Sequence, residues 1–430
     1  MVAPATGGPA TTVPGDFRGF AAVWSPDGNH LLALGTTDPK APPRDAVDWF
    51  AISVGDGTAV RTGAAAALRA QKVLRAGDQM PLPDDWLGGA VLFSAAGDLW
   101  RVPVDPVTFQ LSGPAEQVTS GTADEVGPSM SLDGKLVFSA VDTIADYWSL
   151  PIDANAASVI GERQQIITNS ASDRLALSLD GTTLFFCSHR GRTSEIRSRE
   201  LRSGKETAIL SAEDEQHVNS TTADGSAVLY LVVGEKRTRF LATTPGAPPR
   251  QVCEECGHPA LSSDASKLMY VVEPDHKTYH LLEIGSGQSR ELVKTAKYGM
   301  DAAAISPDGK WAVVTTLSGP LLLMPVRDSL VDEKEMIQIG RVLPGLGYIW
   351  PTFSPDGAAI YYVSNSDGHD CVYAQRLSAS RQPAGDPVAV AHLHEANALG
   401  HPHGMAVGAD KIVLLMNQGS SNIWMMQPRR

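Results

Sequence analysis

The sequence is short of positive charge, cysteine, long apolar runs and helix-forming stretches, and each shortage narrows what the protein can be. Lys and Arg number 35 against 48 Asp and Glu, a formal charge of −13. A surface of that sign repels phosphate backbones and anionic lipid, so nucleic acid is not expected as a partner. No apolar run reaches the roughly 18 residues of a membrane helix, so no membrane span is expected in this chain. Four cysteines in 430 residues are too few for a disulfide scaffold and leave the compartment open. Residues 1–4, Met-Val-Ala-Pro, open without a basic or apolar leader, so no signal peptide is read here. Residues 63–76, with an alanine run at 64–67, are the one good helix candidate and are expected to decorate a rim.

Turn formers, in contrast, are plentiful: 40 Gly and 29 Pro are scattered along the chain, which fits many tight turns and mostly β structure. One phrase recurs. Trp24-Ser25-Pro26-Asp27-Gly28 is followed by Met130-Ser131-Leu132-Asp133-Gly134, Leu177-Ser178-Leu179-Asp180-Gly181 and Thr222-Ala223-Asp224-Gly225. Ser262-Ser263-Asp264-Ala265, Ile305-Ser306-Pro307-Asp308-Gly309, Phe353-Ser354-Pro355-Asp356-Gly357 and a shortened Val407-Gly408-Ala409-Asp410 continue it. The aspartates lie 106, 47, 44, 40, 44, 48 and 54 residues apart, so the first gap spans two periods. A degenerate copy fills it, Trp86-Leu87-Gly88-Gly89 followed by Ala90 to Phe93 and then Asp98-Leu99-Trp100-Arg101-Val102.

The turn chemistry explains the recurrence. Pro presets φ near −65°, Asp bonds nearby amides, and Gly takes φ > 0 without a Cβ clash, so a hairpin forms there. Each unit reads as a strand before the turn, a second after it (residues 136–139 or 360–364), a third (147–152 or 372–377) and in most a fourth, such as 164–168. Four antiparallel strands every 40 to 54 residues without helices between them predict β-propeller blades, which bury their faces only against neighbours. A β-sandwich would not repeat one turn sequence at this interval, and a β-helix rung is shorter.

The expectation is therefore an all-β fold: a single β-propeller over residues 16–430 with nine repeat units, eight blades being the alternative. The units fall around 16–60, 83–120, 125–168, 172–211, 216–253, 257–294, 300–343, 347–390 and 398–427. Residues 1–15 read as a linker plus a closing outer strand near residues 10–13, since the last unit ends at Ile423-Trp424-Met425-Met426 without room for a fourth strand. Closure removes the exposed sheet edge that invites aggregation, and a monomer is expected.

The Ser-Pro-Asp-Gly phrases at 25–28, 306–309 and 354–357, with Ser188-His189-Arg190-Gly191 and Ser364-Asn365-Ser366-Asp367-Gly368 downstream, resemble the TolB-type β-propeller repeats, relatives of the WD40-like repeat. The likeness spans nearly the whole chain. It implies inner strands that precede each turn and a funnel that binds a peptide, a protein terminus or a small ligand. Similar propellers occur in periplasmic translocation proteins, as extracytoplasmic sensor parts of bacterial kinases and regulators, and as gating domains of peptidases, so the resemblance implies an extracytoplasmic or periplasmic setting. The chain has no Gly-x-Ser-x-Gly elbow, Gly-rich kinase loop or Walker sequence, so neither hydrolase nor kinase activity carries over.

In a propeller, the segments six to nine residues before each turn aspartate crowd one end of the channel. They hold Arg18, Glu125, Asp173 with Arg174, His217, His258, Asp301, Tyr348 with Trp350, and His401 with His403. Such a ring suits a charged peptide or a sugar; the competing reading is a rim that is polar because water fills the channel. His392, His394, His401 and His403 place four of the eleven histidines within twelve residues and are candidate ligands for a divalent metal, with a solvent-exposed cluster as the alternative. Oligogalacturonate lyases are similar in using a propeller with a histidine-bound metal, but the local motif does not match and no positions are carried across.

Cys253-Glu254-Glu255-Cys256-Gly257-His258 is half of a zinc site, a local disulfide or a pair of thiols, and the last two are favoured. Cys187 and Cys371 read as buried small hydrophobes. The turn aspartates read as structural, because a calcium loop gathers several oxygens within about a dozen residues. The function expected is a non-enzymatic ligand- or protein-binding propeller without a cofactor, the sensor or interaction domain of a larger bacterial signalling or envelope protein. The alternative is a metal-dependent lyase or hydrolase acting at the central channel through the histidine cluster.

Overall fold

Every intact copy of the turn phrase closes its hairpin the same way. The Ser354 hydroxyl donates to Asp356 Oδ1 at 2.6 Å and accepts the Ala359 amide at 2.9 Å, while Asp356 Oδ1 also accepts the Ala358 amide at 2.9 Å. Ser25 with Asp27, Ser178 with Asp180, Ser262 with Asp264 and Ser306 with Asp308 repeat the bond, and Thr222 does the same for Asp224. Gly357 takes φ of 69°, which a Cβ would strain. These carboxylates accept from their own turns, as structural residues do. The Ser25 and Ser262 hydroxyls hold Asp27 and Asp264 at about 2, and the Ser226 hydroxyl does so for Asp224.

The computed structural model describes the chain except residues 39–46, 76–77, 122, 171–173, 191–192, 213, 234–236, 244–247, 273–275, 318, 341–346, 394–400 and 428–430. Within strands, the side chains of residues 143, 144, 169, 170, 189, 190, 401 and 417–420 are also outside the description. Strands dominate the described residues, and the one α-helix, Ala64–Ala70, is shorter than the 63–76 expected. The chain divides into two compact units, Met1–Thr143 with Gly419–Arg430, and Ile144–Gln418.

The first unit holds two antiparallel four-stranded sheets. One is Arg18–Trp24, His30–Thr36, Asp48–Ser53 and Ala59–Arg61; the other is Asp85–Leu87, Ala90–Ala95, Asp98–Pro103 and Glu116–Gln117. A hairpin pairs Asp124–Met130 with residues 136–141. Trp49, Leu68, Trp86 and Phe93 form its main apolar cluster. Asp48, almost fully buried, accepts the Ala65 amide and the Arg61 guanidinium at 3.0 and 2.8 Å, which fixes the start of the helix against its sheet.

The second unit holds five complete four-stranded sheets, which begin with Leu175–Leu177, Glu215–Thr221, Cys256–Leu261, Met300–Ile305 and Tyr348–Phe353. A further sheet pairs His401–Val407 with Lys411–Met426 and adds Leu136–Asp153 and Gln164–Ser170. Middle strands are buried on both faces because another sheet covers each side: all six residues of Ala359–Ser364 are buried. Consecutive sheets share one apolar cluster each, Phe185 with Tyr230, Leu229 with Leu282, Leu281 with Met324, and Leu323 with Tyr362. Tyr361 then packs in one cluster with Ile152 and Leu414, and Tyr147 and Val413 pack with Leu184 and Phe186 of the first of the five sheets.

Three expectations are corrected here. The nine counted units give eight sheets, because the third and ninth share one: the Ile152 amide donates to the Asp410 carbonyl at 3.0 Å. Neither half completes a sheet alone, and a pairing across more than 250 residues leaves no local pattern to read. Residues 136–139 and 147–152, expected as two strands, form the single strand Leu136–Asp153, since Val141-Asp142-Thr143 offers no Gly, Pro or Asn to reverse the chain. The last unit is completed by this strand and Gln164–Ser170; residues 10–13 do not close it, and Thr11 bridges Val2 instead.

Candidate functional site

Five of the six cavity-facing strands carry the same irregularity at the same place. Between paired positions, Asn219 is one residue too many for its partner strand, as are His258 with Pro259, Asp301 with Ala302, Trp350 with Pro351, and His403. Such β-bulges re-aim a side chain and twist the strand locally. His258 and Trp350 sit at φ of 46° and 50°, a region that side chains of their size rarely adopt, and each is followed by Pro, which restricts the backbone further. Strain of this kind persists only where the surroundings enforce it.

The bulges surround a cavity of about 520 Å³ lined by all six strands of the Ile144–Gln418 unit. Its lower lining is small or apolar, with Leu177, Ala260, Ala304, Phe353 and Met405 among the contributors, and its polar members include Arg174, Asn219, His258 and His403 beside Trp350. No carboxylate lines it among the described residues. Asp301 stands behind the lining, its Oδ1 2.6 Å from His258 Nδ1.

Bonding to His258 is the main cause that holds Asp301 below the usual carboxylate range, and the charges of His258, His276 and Arg174 reinforce it against the opposing effect of burial. His276 extends the group: its ring centroid lies 5.5 Å from that of His258, and its Nδ1 is 3.2 Å from the Met300 carbonyl oxygen. Below them Tyr279, fully buried, donates its hydroxyl to the Asp301 carbonyl, and burial holds that phenol far above its ordinary range. Asn219 is fixed from behind by buried Arg239, whose Nη1 donates to Asn219 Oδ1 at 2.6 Å and whose Nε donates to the Cys256 carbonyl at 3.2 Å. The Tyr147 hydroxyl anchors the Arg174 carbonyl at 3.2 Å.

Among the candidates from the sequence, Arg174, His258, Trp350 and His403 line the cavity and Asp301 backs His258. Tyr348 is buried against Tyr362, ring centroids 5.4 Å apart, and is not among the lining residues. His217 precedes its bulge and faces Glu215, Nε2 to Oε1 3.1 Å. Arg18 and Glu125 belong to the other unit and are not among the residues that line this cavity. Asp173 and His394 lie outside the described residues, as does the side chain of His401. Asn219 was missed because it stands five residues before Asp224, one short of the six-to-nine window, and His276 and Arg239 because they come from neighbouring strands and loops.

The histidines of residues 392–403 take different places: His403 lines the cavity, whereas His392 ends the edge strand Val388–His392 beside Asp367 and Cys371. Asp367, Cys371 and His392 form the one group of three or more potential metal ligands among the described residues. Cys253 and Cys256 are joined by a disulfide, which sets aside the zinc half-site, and Cys187 and Cys371 are buried and belong to no disulfide.

No family model matches the chain, and no curated protein matches it. Among solved structures, a protein assigned as TolB from Agrobacterium tumefaciens is 15% identical with a TM-score of 0.48, over 64% of this chain and 99% of that one. TolB from Acinetobacter baumannii is 11% identical with a TM-score of 0.42, over 79% of this chain and 82% of that one. An oligogalacturonate lyase in complex with manganese is 14% identical with a TM-score of 0.38, over 84% and 89%. These likenesses carry no residue role to this chain.

Proposed function

We propose that Ile144–Gln418 is a closed six-bladed propeller of the TolB-like kind and that its central cavity binds an anionic ligand, a peptide carboxylate or a sugar acid, without chemical conversion. The ring closure is supported by the sequence of shared apolar clusters, which passes through six sheets and returns to the first. One observation carries the ligand class: in a chain of net charge −13, the cavity lining presents Arg174, His258 and His403 and, among the described residues, no carboxylate. A concave surface that presents a guanidinium and imidazole donors inside an acidic protein suits an anion. Trp350 adds an apolar face for stacking, and the cavity volume is that of a small-ligand site.

The metal-dependent alternative is not favoured. Of its histidine cluster the two described side chains lie apart, His392 on an edge strand and His403 at the cavity, and the His258 nitrogen nearest Asp301 is already engaged by that carboxylate.

The test is calorimetric titration of the chain with matched acidic, neutral and basic short peptides and with hexuronic acids, repeated for Arg174→Ala and Trp350→Ala. Binding should be confined to the anionic set, weaken with salt, and fall by about tenfold or more in each variant, the size of one lost charge-assisted contact. Equal binding of basic ligands, or anion binding that both variants retain, would refute it.

A further inference from the structure

Asp367, Cys371 and His392 lie apart from the cavity lining, and no step of ligand binding uses them. Cys371 opens the strand Cys371–Arg376, and His392 is its direct partner across the sheet at the end of Val388–His392. Asp367 lies in the turn that leads from Ala359–Ser364 into the Cys371 strand. Three atoms meet: Cys371 Sγ is 3.4 Å from Asp367 Oδ2 and 3.5 Å from His392 Nδ1, and that same Nδ1 is 3.3 Å from that same Oδ2.

The closed triangle discriminates between two chemistries. A cysteine nucleophile activated through histidine by a carboxylate needs opposite nitrogens of the ring to face the two partners. Here a single nitrogen faces both, so no relay can pass through the ring. Donors that converge on one point are what a cation requires. Zinc bonds of about 2.0 Å to oxygen, 2.1 Å to nitrogen and 2.3 Å to sulfur, set at the tetrahedral angle, separate the donors by about 3.3–3.6 Å. The three observed edges fall in that range, and a mixed sulfur, nitrogen and oxygen set suits zinc better than calcium or magnesium, which take oxygen.

The surroundings hold the donors as a metal site's outer contacts do. Asp367 Oδ1 accepts the His369 amide at 3.1 Å, which leaves Oδ2 turned to the triangle, and the Leu393 amide is directed at the Cys371 sulfur. Cys371 is fully buried, while the side chains of His392 and Asp367 are 44% and 31% exposed, so solvent reaches two of the three donor residues.

We infer that Asp367, Cys371 and His392 form a zinc site with three protein ligands and water in the fourth position. The site is independent of the cavity and of the ligand bound there. The experiment strips the full chain with a chelator and titrates it with Zn²⁺ against a chromophoric competitor, and separately with Co²⁺. One equivalent should bind, and cobalt should show the near-ultraviolet charge-transfer band of a thiolate ligand. Cys253 and Cys256 are paired, so the band can arise only from Cys371 or Cys187.

Cys371→Ser should abolish the band, and Cys371→Ser and His392→Ala should each weaken zinc by about 100-fold, at or beyond the upper end of what an outer-shell change costs. Asp367→Asn and His392→Ala, at partly exposed positions, decide the matter if Cys371→Ser does not fold. Failure to bind zinc, a band that survives in Cys371→Ser, or zinc affinity unchanged in the Asp367 and His392 variants overturns the inference.

Discussion

Ser354→Ala tests the claim that the recurring turn is held by a buried serine rather than by its exposed aspartate. Ser354 is fully buried, and its oxygen accepts the amide of Ala359, itself 1% exposed, while its hydrogen goes to Asp356. Removing the oxygen leaves a buried amide without its acceptor, a loss of about 1–3 kcal/mol. Taking about 2 kcal/mol, the melting temperature of a unit this large should drop by about 4 °C or slightly more. Exchange of the Ala359 amide should quicken by about 30-fold if its opening is local. Asp356→Asn, at an exposed position that keeps an acceptor for Ala358, should cost about 0.5 kcal/mol or less. Ser354→Thr should recover most of the loss, because Thr222 already performs the role three sheets away in the same chain. Ser131→Ala should cost far less than Ser354→Ala, since Ser131 is exposed and water can replace its oxygen. Calorimetry and urea unfolding read the global effect, hydrogen exchange the local one. A Ser354→Ala protein within about 0.5 kcal/mol of the parent, or an Asp356→Asn loss larger than that of Ser354→Ala, would show that the serine does not hold the turn.

Three further outcomes follow from the same geometry. Tyr361→Phe removes a 2.7 Å hydroxyl bond to the Ala154 carbonyl, both residues fully buried, and should cost about 1–2 kcal/mol in urea unfolding, because an acceptor is left unmet. Gly408→Ala should destabilise by about 1–3 kcal/mol, since its new Cβ would stand 2.7 Å from the Gly181 Cα, whereas Gly404→Ala meets only the end of the Leu175 side chain at 3.0 Å and should cost less in the same assay. Asp264 is held at about 2 in the fold, below the ordinary carboxylate range near 3.9, so its contribution is complete above that range and is lost as pH falls toward 2. Urea midpoints should therefore fall between pH 4 and pH 2, and Asp264→Asn should make that decline shallower.

The local chemistry was legible in advance. The Ser-Pro-Asp-Gly phrase marks hairpins wherever it is intact, and Arg174, His258, Trp350 and His403 were found by counting back from it to the strand that enters each turn. The count missed Asn219 because a bulge shifts the inward position by a residue, and a bulge has no fixed sequence. It assigned Arg18 and Glu125 by the same rule, yet they belong to another unit, because a repeat in sequence says nothing about which copies assemble together. His392 was singled out with the wrong companions: its nearest neighbour in sequence among the candidates is His394, but the groups it meets are Asp367 and Cys371, brought to it by strand pairing.

The all-β class, the sheet interval and the turn mechanism are written in the chain itself, since each depends on interactions within a few residues of one another. Folding in three dimensions is what makes residues 144–170 complete the last sheet, sets six strands around one cavity, and brings a thiol, an imidazole and a carboxylate to a point. Those outcomes depend on backbone pairing and burial between segments tens to hundreds of residues apart, where many registers satisfy the same local pattern and packing selects one.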